Sequence, residues 1–286
     1  MKKAAILVAV IILMSTLVFS QEQSSQLYRF SYEFDQDRIL SLVVPAPQGY
    51  DRLPVSRLNL FMKWITNLPL KRADFPVARW DRQILMSADS INGIIDIAVA
   101  TDNQKDADIP LQLMIEYLLA RNELYDFPII IGNGDTLTYR KWLNNDFATD
   151  ARGNLITKES EEKEDTETQY YRFLEFVMVH NDAHSLLYNL EKVGPEDILP
   201  GDLFIQFRAD DVDTTDHTAM ILDVSSNSEG ELMLLAAWGG IPARSFAVAR
   251  PLPISDDQWF TIEELKKRLA EYGDGEFYRF KNLNDS

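Results

Sequence analysis

The 286-residue chain contains only three histidines and no cysteine, so its candidate chemistry is confined to a few positions. His217 follows Asp216 and opens the apolar run Thr218 to Val224. It is the only imidazole in this region and has a carboxylate beside it in sequence. His180 and His184 are four residues apart, the separation of a zinc-binding pair on a helix. No Glu follows His180 in the metalloprotease manner, and Asn181-Asp182 reads as a helix break, so structural or exposed roles are expected for both. Asp210, Asp211, Asp213 and Asp216 share one loop with His217, an oxygen-rich set of the kind hard cations select. Their spacing matches no complete calcium loop and no bidentate Glu follows, so a solvated turn is expected, with no metal and no cofactor assigned. Without cysteine there is no thiolate nucleophile and no disulfide to hold the fold.

The elements that must position His217 are legible around it. Pro200-Gly201-Asp202 is a turn signal, because Pro fixes φ and Gly accepts positive φ. Leu203 to Phe207, the run after His217, and Glu231 to Ala237 then form three short apolar segments, which predicts an antiparallel meander. Upstream, Ile109 to Leu119 is apolar almost all round, the pattern of a central buried helix. Pro110 is tolerated in its first turn, and Asp106 or Asp108 is expected to cap it. Gly132-Asn133-Gly134-Asp135 predicts a hairpin between Phe127–Ile131 and Thr136–Tyr139. Helices are expected over Arg57–Asn67 (capped by Ser56), around Trp142, over Tyr170–Val179 and Ser185–Val193, and from Asp256-Asp257 or Thr261 through Tyr272. Strands are expected over Val77–Met86, Ile91–Ala100 and Ser245–Ala249, and residues 150–168 as a charged, solvated loop. The three Trp at 64, 80 and 142 and the aromatics of Tyr170–Phe176 are expected in the core.

Composition narrows the partners. A hydrophobic content of 46% is enough for a real core. The net charge of -17 repels phosphate backbones and anionic lipid, which excludes nucleic acid as a natural partner. Lys2 and Lys3 precede the uncharged run Ala4 to Ser20, with Val18 and Ser20 small enough for a cleavage site before Gln21. This reads as a signal peptide over residues 1–20, leaving one domain over 21–286, no stable membrane span, and a periplasmic or extracellular location. A run of 17 uncharged residues is slightly short for a retained membrane span.

Several blocks, in this order, carry a resemblance. Pro47-Gln48-Gly49-Tyr50 is followed by Asn67 to Lys71, then Asp106-Ala107-Asp108 before Glu116-Tyr117-Leu118, then Tyr139 to Trp142, Gly201-Asp202 and Asp216-His217. Together they are similar to a secreted bacterial family of unknown function, DUF4846, common in Bacteroidota. The Pro-Gly-Asp-Leu turn and the strand-leading His also resemble the NlpC and CHAP type of papain-like hydrolases. The resemblance implies an α+β fold: a papain-like core with a buried central helix on an antiparallel sheet, plus an N-terminal strand and helix extension.

What the resemblance implies for the site is more specific. His217 takes the place of the general base, and Asp106 stands where those relatives carry the nucleophilic cysteine. Asp216 replaces a Gly, and Ala237 falls where an orienting Gln tends to lie. Asp106 and His217 are expected to share one groove as an ion pair, with Asp216, Trp238 and Ala237 lining it. Asp216 is expected to favour the charged imidazole as well. The resulting expectation is a catalytically inactive papain-like domain binding a peptide or cell-wall fragment. The alternatives are a hydrolase or amidase using His217 with a nucleophile other than Cys, and a cation-dependent interaction protein using the 210–216 loop.

Overall fold

The computed structural model describes residues 35, 37–97, 102, 104–207, 216–252 and 256–283. The expected leader and Asp210, Asp211 and Asp213 lie outside the described residues. In chain order the helices are α1 (Leu40–Val43), α2 (Leu60–Ile65), α3 (Asp108–Ala120), α4 (Tyr139–Asn144), α5 (Glu167–Val179), α6 (Ala183–Leu186) and α7 (Ile262–Arg268). The strands are β1 (Asp51–Arg52), β2 (Val77–Ala78), β3 (Ile84–Met86), β4 (Gly93–Ile94), β5 (Ile129–Ile131), β6 (Asp135–Leu137), β7 (Asn145–Thr149) and β8 (Leu155–Glu159). They continue with β9 (Leu190–Val193), β10 (Leu203–Gln206), β11 (His217–Ser226), β12 (Leu232–Trp238), β13 (Ala247–Val248) and β14 (Gly275–Phe280). The class is α+β.

The main sheet runs β4-β13-β12-β11-β10-β14-β9, with β1 paired to the far end of β11. Each of these pairings is antiparallel. The expected meander is β10-β11-β12. β11 sits at its centre and is buried along nearly its whole length, so it reads as a continuous apolar run rather than an alternating one. One face of the sheet, with Leu203, Ile205, Met220, Leu235 and Ala237, packs in the same core as α3. The other face, with Phe204, Ala219, Ile221, Ala236 and Trp238, packs with Leu265 and Leu269 of the C-terminal segment. A bulge places Leu222 and Asp223 together opposite Leu235 and restores Val224 to the second face. Asp223 is thereby turned to meet Arg52, at 2.5 Å.

α3 is buried around its circumference, as its apolar pattern requires, and no caps of the expected kind begin it. Ala107 holds the N-cap position. The Asp108 carboxylate instead accepts from the Lys105 amide at 2.7 Å, bracing the turn that carries Asp106. The helix ends where Asn122 adopts a φ of 60°. The amides of Asn122 and Glu123 bond back to Leu119 and Leu118, a Schellman closure.

Several expectations are corrected. α2 begins at Leu60 and is capped by Asn59, whose side chain accepts from the Met62 amide, rather than by Ser56. Residues 150–168 are not one loop: Leu155–Glu159 pairs with Asn145–Thr149 in an exposed hairpin. Polar residues on both faces of that hairpin hide the strand from a hydrophobic pattern. The helix expected over Ser185–Val193 stops at Leu186, passes through a short turn, and becomes β9. β9 is held by β14, a strand outside the sequence expectations altogether. The strand expected over Val77–Met86 is cut to two- and three-residue pieces, and the described part of that expected over Ile91–Ala100 holds only β4, its residues 98–100 lying outside the described residues. The 129–137 hairpin and α4 lie where expected, and α7 starts at its Thr261 cap as expected but ends at Arg268, short of Tyr272.

The turn entering β10 is held by a buried ion pair. Asp202 is fully buried, and both Nε and Nη2 of Arg279 on β14 meet its carboxylate at 2.7 Å. Burial raises the Asp202 pKa despite that guanidinium. Removing one partner leaves a buried charge without compensation. Arg279→Ala is therefore expected to lower the urea-unfolding free energy by about 3 kcal/mol, whereas Lys192→Ala, whose partner Glu276 is exposed, should change it by less than about 1 kcal/mol.

Candidate functional site

The N-terminal end of α3 and the first residue of β11 converge at one end of the sheet. Backbone approach makes this possible: a Cβ on Gly239, just past β12, would lie 2.6 Å from Ile109 Cδ1 and 3.8 Å from the Asp106 Cα. The absence of a side chain lets α3 close on the strand ends. Asp106 then projects its carboxylate to His217, with Oδ2 at 2.5 Å from Nδ1. The other carboxylate oxygen accepts from the Ala107 amide at 3.0 Å, and Oδ2 also receives the Thr218 amide at 3.3 Å. The side chains of His217 and Asp106 are 2% and 4% exposed, so water does not separate or screen the pair.

His217 belongs to the sheet face that carries Ala219 and Ile221. The Tyr272 ring stacks on the imidazole at 4.1 Å, with 16° between the planes. Trp238 meets it edge-on at 6.2 Å. Gln206 is its register partner on β10. The Gln206 amide donates to the Leu269 carbonyl at 2.9 Å and to the Gly273 carbonyl at 2.5 Å, which holds the Tyr272 turn against the histidine. Burial, the nearby Glu271 carboxylate and Asp106 raise the Tyr272 pKa, partly opposed by Arg244. Among the described residues His217 Nε2, Gln206 Oε1, Thr218 Oγ1 and Gln104 Oε1 are buried without a hydrogen-bond partner.

The other candidates divide. Trp238 meets the His217 ring edge-on at 6.2 Å. Ala237 does not: it occupies the opposite sheet face, fully buried in the core shared with α3. Strand alternation puts neighbours 237 and 238 on opposite sides, so Ala237 cannot line a groove with His217. Asp216 turns away too. Its Oδ2 lies 3.4 Å from His184 Nε2, and His184 stacks on Phe207 at 4.7 Å. Asp216 therefore pairs with a different imidazole from the one expected. His180 Nδ1 donates to the Phe176 carbonyl at 2.7 Å, and α5 breaks there before the Asp182-capped α6. The break separates His180 and His184 onto different segments, as the Asn181-Asp182 pair implied. Among the described residues no group of three or more His, Asp or Glu side chains is arranged to hold a metal ion.

Sequence reasoning missed the aromatic lid and the polar row behind Asp106. Tyr272 and Gln206 could be linked to His217 only after β14 and the β10 register were known. The polar row was visible as a period: Asp108, Gln112 and Glu116 recur every four residues on a helix otherwise apolar. Gln104 Nε2 donates to Gln112 Oε1 at 2.6 Å, and Gln112 Nε2 donates to Glu116 at 2.8 Å. Asn181 donates to Asp108 at 2.8 Å. Burial pushes Asp108 up to about 7, against the bonds from Asn181 and Lys105. Glu116, half-buried as a residue, is also pushed up to about 7 by burial of its carboxyl group, against the bond from Gln112.

The sequence pattern of one family, described as a domain of unknown function (4846), matches residues 40–282. No curated protein and no solved structure is similar enough to match. Among the described residues no helix is long and apolar enough to cross a membrane.

The raised acids set a pH dependence. In the folded state Asp108 and Glu116 bind protons up to about pH 7, whereas the unfolded chain releases them near 3.8 and 4.5. The folded state therefore holds more protons across that window, and these groups make stability fall as pH rises from about 4 to 7. The Asp108 shift corresponds to roughly 4 kcal/mol of preference for the neutral acid. Asp108→Asn is expected to flatten this part of the stability curve, read as a smaller loss of unfolding free energy between pH 5 and about 8 than in the wild type.

Proposed function

The chain belongs to the DUF4846 family, and we propose that it is an exported binding domain of papain-like plan whose catalytic site has become a closed carboxylate–imidazole pair. The observation that carries this reading is the 2.5 Å contact between Asp106 and His217 under the Tyr272 ring. A thiol enzyme of this plan needs a nucleophile that reaches substrate and an imidazole that takes its proton. Here the nucleophile position holds a carboxylate, and its oxygens are occupied by His217 and by the Ala107 and Thr218 amides. Acyl transfer at that carboxylate would require breaking the pair and uncovering it.

The pair then serves to join α3 to the sheet end and to fix the floor beside Trp238 and Tyr272. A peptide or a cell-envelope fragment is the occupant that the inherited groove would suit, in the periplasm or outside the cell. The alternative of an active hydrolase with a different nucleophile needs a hydroxyl on His217 Nε2. Among the described residues none is bonded there. The cation-dependent alternative loses one proposed ligand, since Asp216 is directed to His184.

Purified protein is expected to show no turnover of peptide, amide or ester substrates above buffer, and His217→Ala should leave that background unchanged. Wild-type hydrolysis abolished by His217→Ala would overturn the reading. A second experiment probes the closure itself. Asp106→Cys would place a thiol beside the imidazole, yet iodoacetamide should alkylate it slowly because the position is buried. Adding Tyr272→Ala is expected to raise the alkylation rate by about ten-fold or more. Equal rates in the two variants would show that Tyr272 does not guard the site.

A further inference from the structure

We propose that Arg244 is the anchor of a carboxylate-binding subsite at the edge of this site, and that it receives the free C-terminal carboxylate of a peptide; the assignment rests on the groove reading above. Arg244 follows the turn after β12, and its Nε donates to the Gly239 carbonyl at 2.6 Å. The guanidinium lies against the Gly240 backbone, where a Cβ would stand 2.7 Å from Cζ and 3.0 Å from Nη2. Glycine at position 240 is thus a requirement of the arginine's placement. The side chain is pinned by one nitrogen, and its terminal nitrogens meet no acceptor among the described residues. That leaves a planar, always-charged fork held in advance of any ligand, the geometry suited to a bidentate carboxylate.

Its surroundings favour an anion. Arg79 is the backbone bridge partner of Arg244, so two cations stand across from one another in a chain of net charge -17. Arg79 is already engaged with Asp81 at 3.1 Å and with Gln83, whereas Arg244 has no carboxylate within ion-pair distance among the described residues. Asp106 is committed to His217. A Cβ on Gly239 would stand 3.7 Å from the Arg244 carbonyl oxygen and 3.8 Å from the Asp106 Cα, so Arg244 lies beside the turn that carries Asp106.

A peptide end suits the position better than a free inorganic anion. Trp80, whose amide bonds the Ala243 carbonyl, and Ile241 are both nearly half exposed on the two segments that flank Arg244. They give apolar surface beside the fork for a terminal side chain. The carboxylate supplies the charge, and the adjoining residues supply area.

The test is a titration of protein labelled at the arginine Nε and tryptophan indole nitrogens, followed by NMR. The probes are acetyl-Ala-Ala-Leu with a free C-terminus, the same peptide as its C-terminal amide, and inorganic phosphate. The free acid is expected to shift the Arg244 Nε signal saturably and to bind about ten-fold or more tightly than either other probe. Arg244→Gln should lose that difference. Arg244→Lys, which keeps charge without the fork, should retain only part of it and serves if the Gln variant does not fold. Acid and amide bound alike, or acid binding undiminished in both variants, would overturn the subsite and leave the groove reading standing. Phosphate bound as tightly as the acid would overturn the assignment to a peptide end. No saturable shift with any probe would overturn subsite and groove together.

Discussion

The contact between the Asp106 carboxylate and the His217 imidazole is the constraint on which the architecture of the site depends. It ties the turn before α3 to the first residue of β11, two places 111 positions apart in the chain. A buried carboxylate and a buried imidazole are each costly to desolvate, and each offsets part of the other's penalty only at short range. The surrounding structure supplies the remaining conditions. The Ala107 and Thr218 amides take up the carboxylate oxygens, Tyr272 and Trp238 exclude water from the ring, and Gln206 holds the Tyr272 turn in place. Removing one partner alone would leave either a charge or an unpaired polar ring in a dry interior.

The sheet is what makes such a pair possible at one end of the molecule. β11 is covered on both faces, by α3 and its neighbours on one side and the α7–β14 segment on the other. A strand buried on both sides has fixed alternation, and His217 inherits its direction from Ala219 and Ile221 in the same row. The bulge at Leu222–Asp223 resets that alternation only beyond the site, where Asp223 is needed for Arg52. The polar row Asp108–Gln112–Glu116 threads between α3 and the α5–α6 region and places two readily protonated acids behind the pair. The site end of the molecule is thus closed by polar contacts that the apolar core surrounds.

Much of this was legible in the sequence. The apolar run of α3, the Pro-Gly-Asp turn and the three strand segments around His217 all lie where residue pattern puts them. The nearness of Asp106 to His217 was implied only by the resemblance to papain-like hydrolases, since nothing local links residues so far apart. Ala237 was misread because a one-residue difference reverses the face on which a strand residue points. Asp216 was misread because adjacency in sequence is not adjacency of side chains at a strand entrance. β8 shows no hydrophobic pattern because four of its five residues are exposed, whereas β14, with Phe277, Tyr278 and Phe280, has a strand-like composition over too short a run to stand out beside the preceding helix. Tyr272 and Arg244 lacked any local signal, since their roles arise from long-range packing on His217 and Gly240.

The central claim is that Asp106 and His217 act as one energetic unit. Urea-unfolding free energies of the wild type, Asp106→Asn, His217→Gln and the double variant, measured at one pH, form a double-mutant cycle. A coupling energy of about 2 kcal/mol is expected, the two single losses summing to clearly more than the double loss. Losses that add to within about 0.3 kcal/mol would mean that the two side chains do not support one another, and the closed pair would no longer account for the site.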